Sequence, residues 1–174
     1  MNDLRYPIGK FTRDPDATPQ KRRAWIQQIA DTPENLRAAV NGLTEQQLLT
    51  PYRPEGWTVC QTVHHVADSH LNSFIRFRLA LTEDCPLIKT YDQDRWADLP
   101  DAATVVIEPS LLLLAGMHTR WVELLNSLSK EDFARGLQHP ELGEISLDTN
   151  LQIYAWHGPH HVAQITSLRD REGW

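Results

Sequence analysis

The chain has 174 residues, of which 17 are basic and 23 acidic, giving a net charge of -6. That length suits a single domain over residues 1–174 with its own hydrophobic core. The acidic balance argues against a nucleic-acid partner and against electrostatic attachment to a membrane, since both require a basic surface. Eight histidines outnumber the six Trp, four Tyr or four Phe, and histidine is the commonest metal ligand.

The cysteines and the apolar runs bear on the compartment. Cys60 and Cys85 are too few for a disulfide framework and lack C-x-x-C spacing. No charged segment leads into an apolar run near the N-terminus, and the longest purely apolar run, residues 111–115, is far below the ~20 residues of a membrane span. We therefore expect reduced thiols, no signal peptide and a cytoplasmic protein.

Apolar periodicity and capping residues predict the first two long helices. Thr18 is the expected N-cap of a helix over about residues 19–42, and the internal Pro33 predicts a kink or a break because proline lacks a backbone N–H. Thr58 and Gln61 have the spacing of a capping box, which predicts a second helix that ends near residue 81.

Two further long helices complete the predicted fold. Pro109 begins the third, on which one stripe contains Leu112, Ala115, His118, Val122 and Leu125. The fourth covers about residues 147–169. The remaining segments are predicted as an extended arm (1–17), a short helix (93–99) and a turn or small hairpin (136–146). Four amphipathic helices with little strand signal predict an all-α four-helix bundle, and the long connections leave its order open.

Six of the eight histidines lie on two of these helices: His64, His65 and His70 on the second, and His157, His160 and His161 on the fourth. His157 and His161 are four residues apart, which places them about 40° apart on one helix face, where two imidazoles can reach one ion. A third ligand must come from another helix, and facing helices hold metals in the core of a bundle. His118 and His139 stand apart and are expected to be incidental.

The second helix offers the third ligand. A helical wheel places His65 on a polar stripe that also contains Gln61, Thr62, Asp68, Ser69, Asn72 and Arg76. His64 is flanked by Leu71 and Ile75, whereas His70 lies within an apolar stripe and is expected in the core. The polar stripe is either a solvated face or a cavity wall, and in the second case His65 is the third ligand.

A site of three neutral imidazoles keeps coordination positions open, as catalytic sites do, whereas a structural zinc site closes all four. An ion in such a site can activate a water for hydrolysis by lowering its pKa to ~7. It can also hold a thiol as thiolate for attack on an electrophile. A non-catalytic metal-binding helical dimer is the third possibility.

Neighbouring polar and aromatic residues are candidates for the pocket. Asn72 and Arg76 continue the His65 stripe and could bind an acidic group of a substrate. Asp68 could accept a hydrogen bond from the ring of His64 or His65. The alternative for all three is a solvated helix face. The two tryptophans that flank the histidine segments, Trp57 and Trp156, are expected in the core or in the pocket wall.

Several segments resemble the DinB-like superfamily, and closely its YfiT-type branch: GWTVCQTVHHVADSHLNSFIRFR (56–78), YAWHGPHHVAQI (154–165), YPIG (6–9) and TPYR (50–53). The resemblance spans nearly the whole chain. It implies a four-helix bundle with a three-histidine metal site, and its ligands fall on His65, His157 and His161.

The same resemblance implies a metal-dependent hydrolase that is a homodimer, acts on a small-molecule substrate and uses zinc or nickel. Some relatives are S-transferases that use bacillithiol or a similar low-molecular-weight thiol. This chain departs from the family pattern at Gly158 and Pro159, where the motif has serine and histidine. Because Pro159 removes the helical bond to the Ala155 carbonyl, we expect a local distortion between the ligands without loss of the site.

Overall fold

The computed structural model describes residues 3–174 and contains four long helices: α1 (Pro19–Val40), α3 (Val59–Thr82), α5 (Glu108–Ser127) and α7 (Leu147–Glu172). Shorter elements connect them: α2 (Glu45–Leu48), α4 (Gln93–Ala97), α6 (Lys130–Ala134) and the antiparallel hairpin of β1 (Gly136–His139) with β2 (Gly143–Ser146). Within residues 3–174, no helix has the length and apolar character needed to cross a membrane.

The four long helices form a bundle, as predicted, but not in simple up-down order. Helix α1 packs against α5 and α7, and α3 packs against the same two helices. The consecutive helices α1 and α3 therefore lie at opposite corners. The long connection between them, which contains α2, makes this diagonal crossing possible.

The predicted helix starts are confirmed. The Thr18 hydroxyl accepts a hydrogen bond from the Lys21 N–H at the start of α1. Thr58 and Gln61 form the predicted capping box of α3. Helix α1 does not break at Pro33, since the helix is continuous over its full 22 residues. The His118 side chain on α5 donates to the Ile29 carbonyl in place of the missing N–H.

The predicted stripe on α5 is right at His118 and Leu125, which are buried, but wrong at Leu112 and Ala115, which are exposed. Leu112 is 60% exposed, whereas the buried face consists of Leu111, Leu114, Met117, His118, Trp121 and Leu125. Four consecutive leucines at residues 111–114 leave the phase of the helix undecided in the sequence. The complete burial of the large Trp121 ring decides it.

The N-terminal arm lies along α7 and is held there by polar contacts. The side chain of Gln152 exchanges two hydrogen bonds with the backbone of Asp14, and the indole N–H of Trp156 donates to the Gly9 carbonyl at 3.2 Å. This agrees with the predicted packed arm, of which residues 1 and 2 lie outside the described residues.

Helices α1 and α7 approach closely at Gly158. A Cβ atom there would lie 2.3 Å from Oγ1 and 2.6 Å from Cγ2 of Thr32. Thr32 is buried, and its hydroxyl donates to the Gln28 carbonyl. The side chain therefore has little freedom to move, and only glycine fits at this crossing. Helix α7 is continuous through Pro159.

We expect Gly158→Ala to lower the free energy of unfolding by about 1–3 kcal/mol, because the added methyl overpacks the contact with Thr32. Urea denaturation followed by circular dichroism measures this change. The matched control is Gly116→Ala on α5, where an added Cβ meets no atom within 4 Å. That variant should gain up to about 1 kcal/mol from helix propensity. Equal effects of the two substitutions would contradict the proposed close packing.

Candidate metal centre

Three histidines from two helices converge in the bundle. A ring nitrogen of each of His65, His157 and His161 lies within 4.8 Å of the others. His65 comes from α3, and the other two lie one turn apart on α7. The structure therefore brings together the three residues that the helical wheel and the family resemblance both selected.

The spacing of these nitrogens fits a divalent ion. The Nε2 atoms of His65 and His157 are 3.3 Å apart. In a tetrahedral zinc site with Zn–N bonds of about 2.0–2.1 Å, two ligand nitrogens are separated by about 3.3–3.4 Å. The separation of this pair matches that value, and all donor nitrogens of the cluster lie within 4.8 Å of one another.

A glutamine on α7 orients the ring of His161. Nδ1 of His161 donates to Oε1 of Gln164 at 2.8 Å, which leaves the lone pair on its Nε2. The glutamine amide is oriented in turn, because its nitrogen donates to the Arg5 carbonyl at 3.0 Å and to Nε2 of His160 at 3.1 Å. The N-terminal arm thereby helps to position a ligand of the proposed metal site.

The environment keeps the three imidazoles neutral. Burial lowers the pKa of His65, His157 and His161 well below the ordinary value, and neighbouring histidines lower it further. A neutral imidazole offers a lone pair, which is the form in which histidine binds a cation. Trp57 lies against it, with its ring centroid 4.5 Å from that of His65.

A cavity of about 440 Å³ opens onto the three histidines. Trp57 and Trp156 line it, as predicted for pocket-wall residues. Its charged lining residues are Arg5, Arg53, Glu55 and Asp94. The guanidinium groups of Arg5 and Arg53 are donors that the sequence alone did not single out.

The other predicted pocket residues lie away from this cavity. Arg76 lines a second cavity of about 460 Å³, which reaches His157 from another direction. The Asn72 amide donates to the Asp68 carbonyl on their own helix at 2.9 Å. The Asp68 carboxyl is half-buried, and burial together with the nearby Asp101 raises its pKa. Every residue of the polar stripe of α3 is at least partly buried. Of these, His65 lines the first cavity, and Ser69 and Arg76 line the second.

The remaining histidines divide into structural and site-linked residues. His64 contacts the Ser110 hydroxyl and the Thr104 carbonyl, so its ring is oriented by the first turn of α5 and the loop before it, and not by Asp68. His139 accepts backbone N–H bonds within the hairpin turn. His160 stacks on Trp156 with centroids 4.3 Å apart.

The expectation that His118 is incidental is wrong. His118 is 2% exposed and contacts His70, which is fully buried and contacts His157. His70 is in the core, as predicted, but it also touches a candidate ligand. The spacing within one helix cannot reveal such contacts, since they join residues 48 and 87 positions apart.

Comparisons with known proteins identify the family of the chain. The sequence profile of the DinB superfamily matches residues 28–165. Two relatives, from Bacillus cereus (strain 03BB102) and Bacillus anthracis (strain CDC 684 / NRRL 3495), are 53% and 52% identical to this chain over the whole length of both proteins. Each carries the name "Putative metal-dependent hydrolase".

Two solved structures share the fold. YfiT from Bacillus subtilis, described as "a probable metal-dependent hydrolase with an unusual four-helix bundle topology", superimposes with a TM-score of 0.95 at 45% identity over 98% of each chain. TT2238, a four-helix bundle protein, covers 84% of this chain and 98% of its own with a TM-score of 0.59 at 19% identity, which supports the fold alone. The chain belongs to the DinB superfamily, in the branch represented by YfiT.

Proposed function

We propose that this protein is a metal-dependent hydrolase whose divalent ion is bound by His65, His157 and His161. The observation that carries the proposal is the convergence of three neutral imidazoles on a 440 Å³ cavity, with two Nε2 atoms 3.3 Å apart. The names of its full-length relatives support the same activity.

A divalent ion bound there supplies Lewis acidity, which lowers the pKa of a water to ~7 and polarises a carbonyl or phosphoryl group. The protein contributes position and environment. Gln164 holds the His161 ring, and the Trp57 ring covers the imidazole of His65. These contacts keep the donor nitrogens directed at one point before the ion arrives.

The cavity suits a small-molecule substrate. Arg5 and Arg53 can donate hydrogen bonds to an acidic group, while Glu55 and Asp94 limit the net positive charge of the wall. Arg76 lies in the second cavity beside His157, which supports its proposed role in binding an acidic substrate group there. Roles for Asp68 and Asn72 in the same chemistry stay predictions.

We propose zinc as the metal, because imidazole ligands at a tetrahedral spacing suit it, with nickel as the second choice. The shared core of the four helices supports one domain. Exposed Ile75 on α3 and exposed Leu112 and Leu113 on α5 support a homodimer formed through these helices, which would cover them. The free, exposed thiol of Cys85 supports a reducing cytoplasm.

A thiol S-transferase is the second candidate, favoured by the two guanidinium groups in the cavity. An acidic low-molecular-weight thiol could bind to Arg5 and Arg53 with its sulfur at the metal centre. The thiolate would then form a bond to an electrophilic carbon while the leaving group departs with the electron pair of its bond. The same three histidines would hold the metal in both reactions.

The experiment uses the full-length protein after dialysis against EDTA, followed by addition of Zn²⁺ or Ni²⁺. Hydrolysis of p-nitrophenyl esters should be lost without metal and restored by it, in the absence of any thiol. Monochlorobimane with and without bacillithiol tests the alternative. Turnover that strictly requires the thiol would replace hydrolysis by S-transfer, and unchanged ester hydrolysis without metal would refute both.

A further inference from the structure

Three hydrogen bonds in series, two of them fully buried, lead from the proposed metal site to the opposite corner of the bundle. Nδ1 of His157 contacts Nε2 of His70 at 3.1 Å, and Nδ1 of His70 contacts Nε2 of His118 at 2.9 Å. Nδ1 of His118 contacts the Ile29 carbonyl at 2.8 Å. We name His157, His70, His118 and this carbonyl the histidine chain. It takes one residue from each long helix.

The carbonyl at its end determines where every proton of the histidine chain lies. A carbonyl oxygen only accepts, so Nδ1 of His118 must carry the proton and Nε2 of a neutral ring must accept. Nδ1–H of His70 then donates to His118, and Nε2 of His70 accepts from Nδ1–H of His157. One set of neutral tautomers satisfies all three bonds, and it leaves the lone pair of His157 on Nε2.

That same Nε2 is the nitrogen directed at His65 in the metal centre. The opposite tautomer would place a proton there and block a metal bond. The histidine chain therefore selects the tautomer that a metal ligand requires.

Pro33 explains why the Ile29 carbonyl is free. In a regular helix that carbonyl would accept the N–H of the residue four positions later, and here that residue is proline. His118, on α5, supplies the missing donor. The helix-breaking residue noted in the sequence thus creates the fixed end of the histidine chain.

Packing holds the two intermediate rings in place. His70 is fully buried and His118 is 2% exposed. Their rings stack with centroids 4.9 Å apart, and the Trp121 ring meets both edge to face. Because the histidine chain ends at a carbonyl, it has no outlet for a proton. Its role is orientation and not proton transfer.

We propose that His70 and His118 are positioning residues that keep the proton of His157 on Nδ1 and so hold its Nε2 free for the metal. The proposal rests on the metal site proposed above, but the tautomers can be measured without metal.

The first test uses the metal-free, full-length protein labelled with ¹⁵N-histidine. Long-range ¹H–¹⁵N spectra near pH 7.5 distinguish Nδ1–H from Nε2–H rings. We expect His118, His70 and His157 all to be Nδ1–H. A proton on Nε2 of His157 would overturn the proposal even if the protein binds metal. Failure of the wild-type protein to bind Zn²⁺ would refute the metal site and leave the tautomer result standing.

The second test compares two substitutions of one residue. The substitution His70→Gln keeps a hydrogen-bond donor and a hydrogen-bond acceptor, whereas His70→Phe keeps an aromatic ring and removes both. We expect His70→Phe to weaken Zn²⁺ binding by about 10–100-fold, in a titration against a chromophoric chelator, and to give His157 a mixture of tautomers. His70→Gln should retain affinity within about threefold of the parent protein, since the acceptor for His157 is preserved.

Thermal unfolding of both variants separates stability from positioning. Wild-type Zn²⁺ affinity in a folded His70→Phe protein would contradict the proposal. The proposal would also be contradicted if both variants lost the same Zn²⁺ affinity and this loss paralleled their loss of thermal stability. If His70→Phe does not fold, the wild-type tautomer spectrum decides the proposal.

Discussion

Replacement of His161 by alanine is expected to abolish metal binding and to lower hydrolysis more than ~100-fold. Two histidines do not make a stable metal site. Loss of a direct ligand should therefore weaken metal binding by more than the ~10–100-fold expected when a residue that hydrogen-bonds to a ligand is changed. Metal content after dialysis, measured by inductively coupled plasma mass spectrometry, should fall from about one ion per chain to background.

The matched control is His139→Ala. That histidine ends β1 and accepts backbone N–H bonds from the hairpin turn. It lines the second cavity but is not one of the three clustered histidines. Its removal should leave metal content unchanged. Full metal occupancy in His161→Ala, or equal losses in the two variants, would refute the assignment of the ligands.

Acidification is expected to destabilise the metal-free protein steeply between about pH 6.5 and pH 4. Burial lowers the pKa of His118 to about 4 from its ordinary 6.5, and lowers that of His160 to about 4. Burial also lowers the pKa of fully buried His70. The unfolded chain therefore binds protons that the folded chain excludes, and the free energy of unfolding falls as pH falls through this window.

His118 alone should remove about 2 kcal/mol between pH 7.5 and pH 5, and about 3 kcal/mol once pH falls below its folded pKa. Asp68 opposes this trend, because burial raises its pKa and the folded state gains protons as pH falls. Asp68 affects the free energy of unfolding at pH values near and above its ordinary pKa of 3.8, at the lower end of the window.

Urea denaturation in EDTA at several pH values measures this dependence. His118→Gln provides the comparison, because glutamine keeps a polar side chain but does not titrate. In the variant, the free energy of unfolding should fall less steeply with decreasing pH, because about one fewer proton is taken up on unfolding. A free energy of unfolding that is constant from pH 7.5 to pH 5 would show that the buried histidines do not control acid stability. An identical slope in the variant would show that His118 does not contribute to it.

Much of the candidate site was accessible from the sequence because its information is local. The four-residue spacing of His157 and His161 places both on one helix face whatever surrounds the helix. His65 was distinguished from His64 and His70 by its angular position on α3. The orienting residue Gln164 follows His161 by three positions and could have been recognised by the same reasoning.

Contacts between helices could not be predicted in this way. The sequence by itself determined the four long helices, the N-caps of the first two, the bundle class and the three histidines proposed as ligands. The tertiary structure alone decided the diagonal placement of α1 and α3, the phase of α5, and the contacts that join His118 and His70 to His157. The physical reason is that helical periodicity specifies direction within one helix. Which faces meet depends on how all four helices pack together.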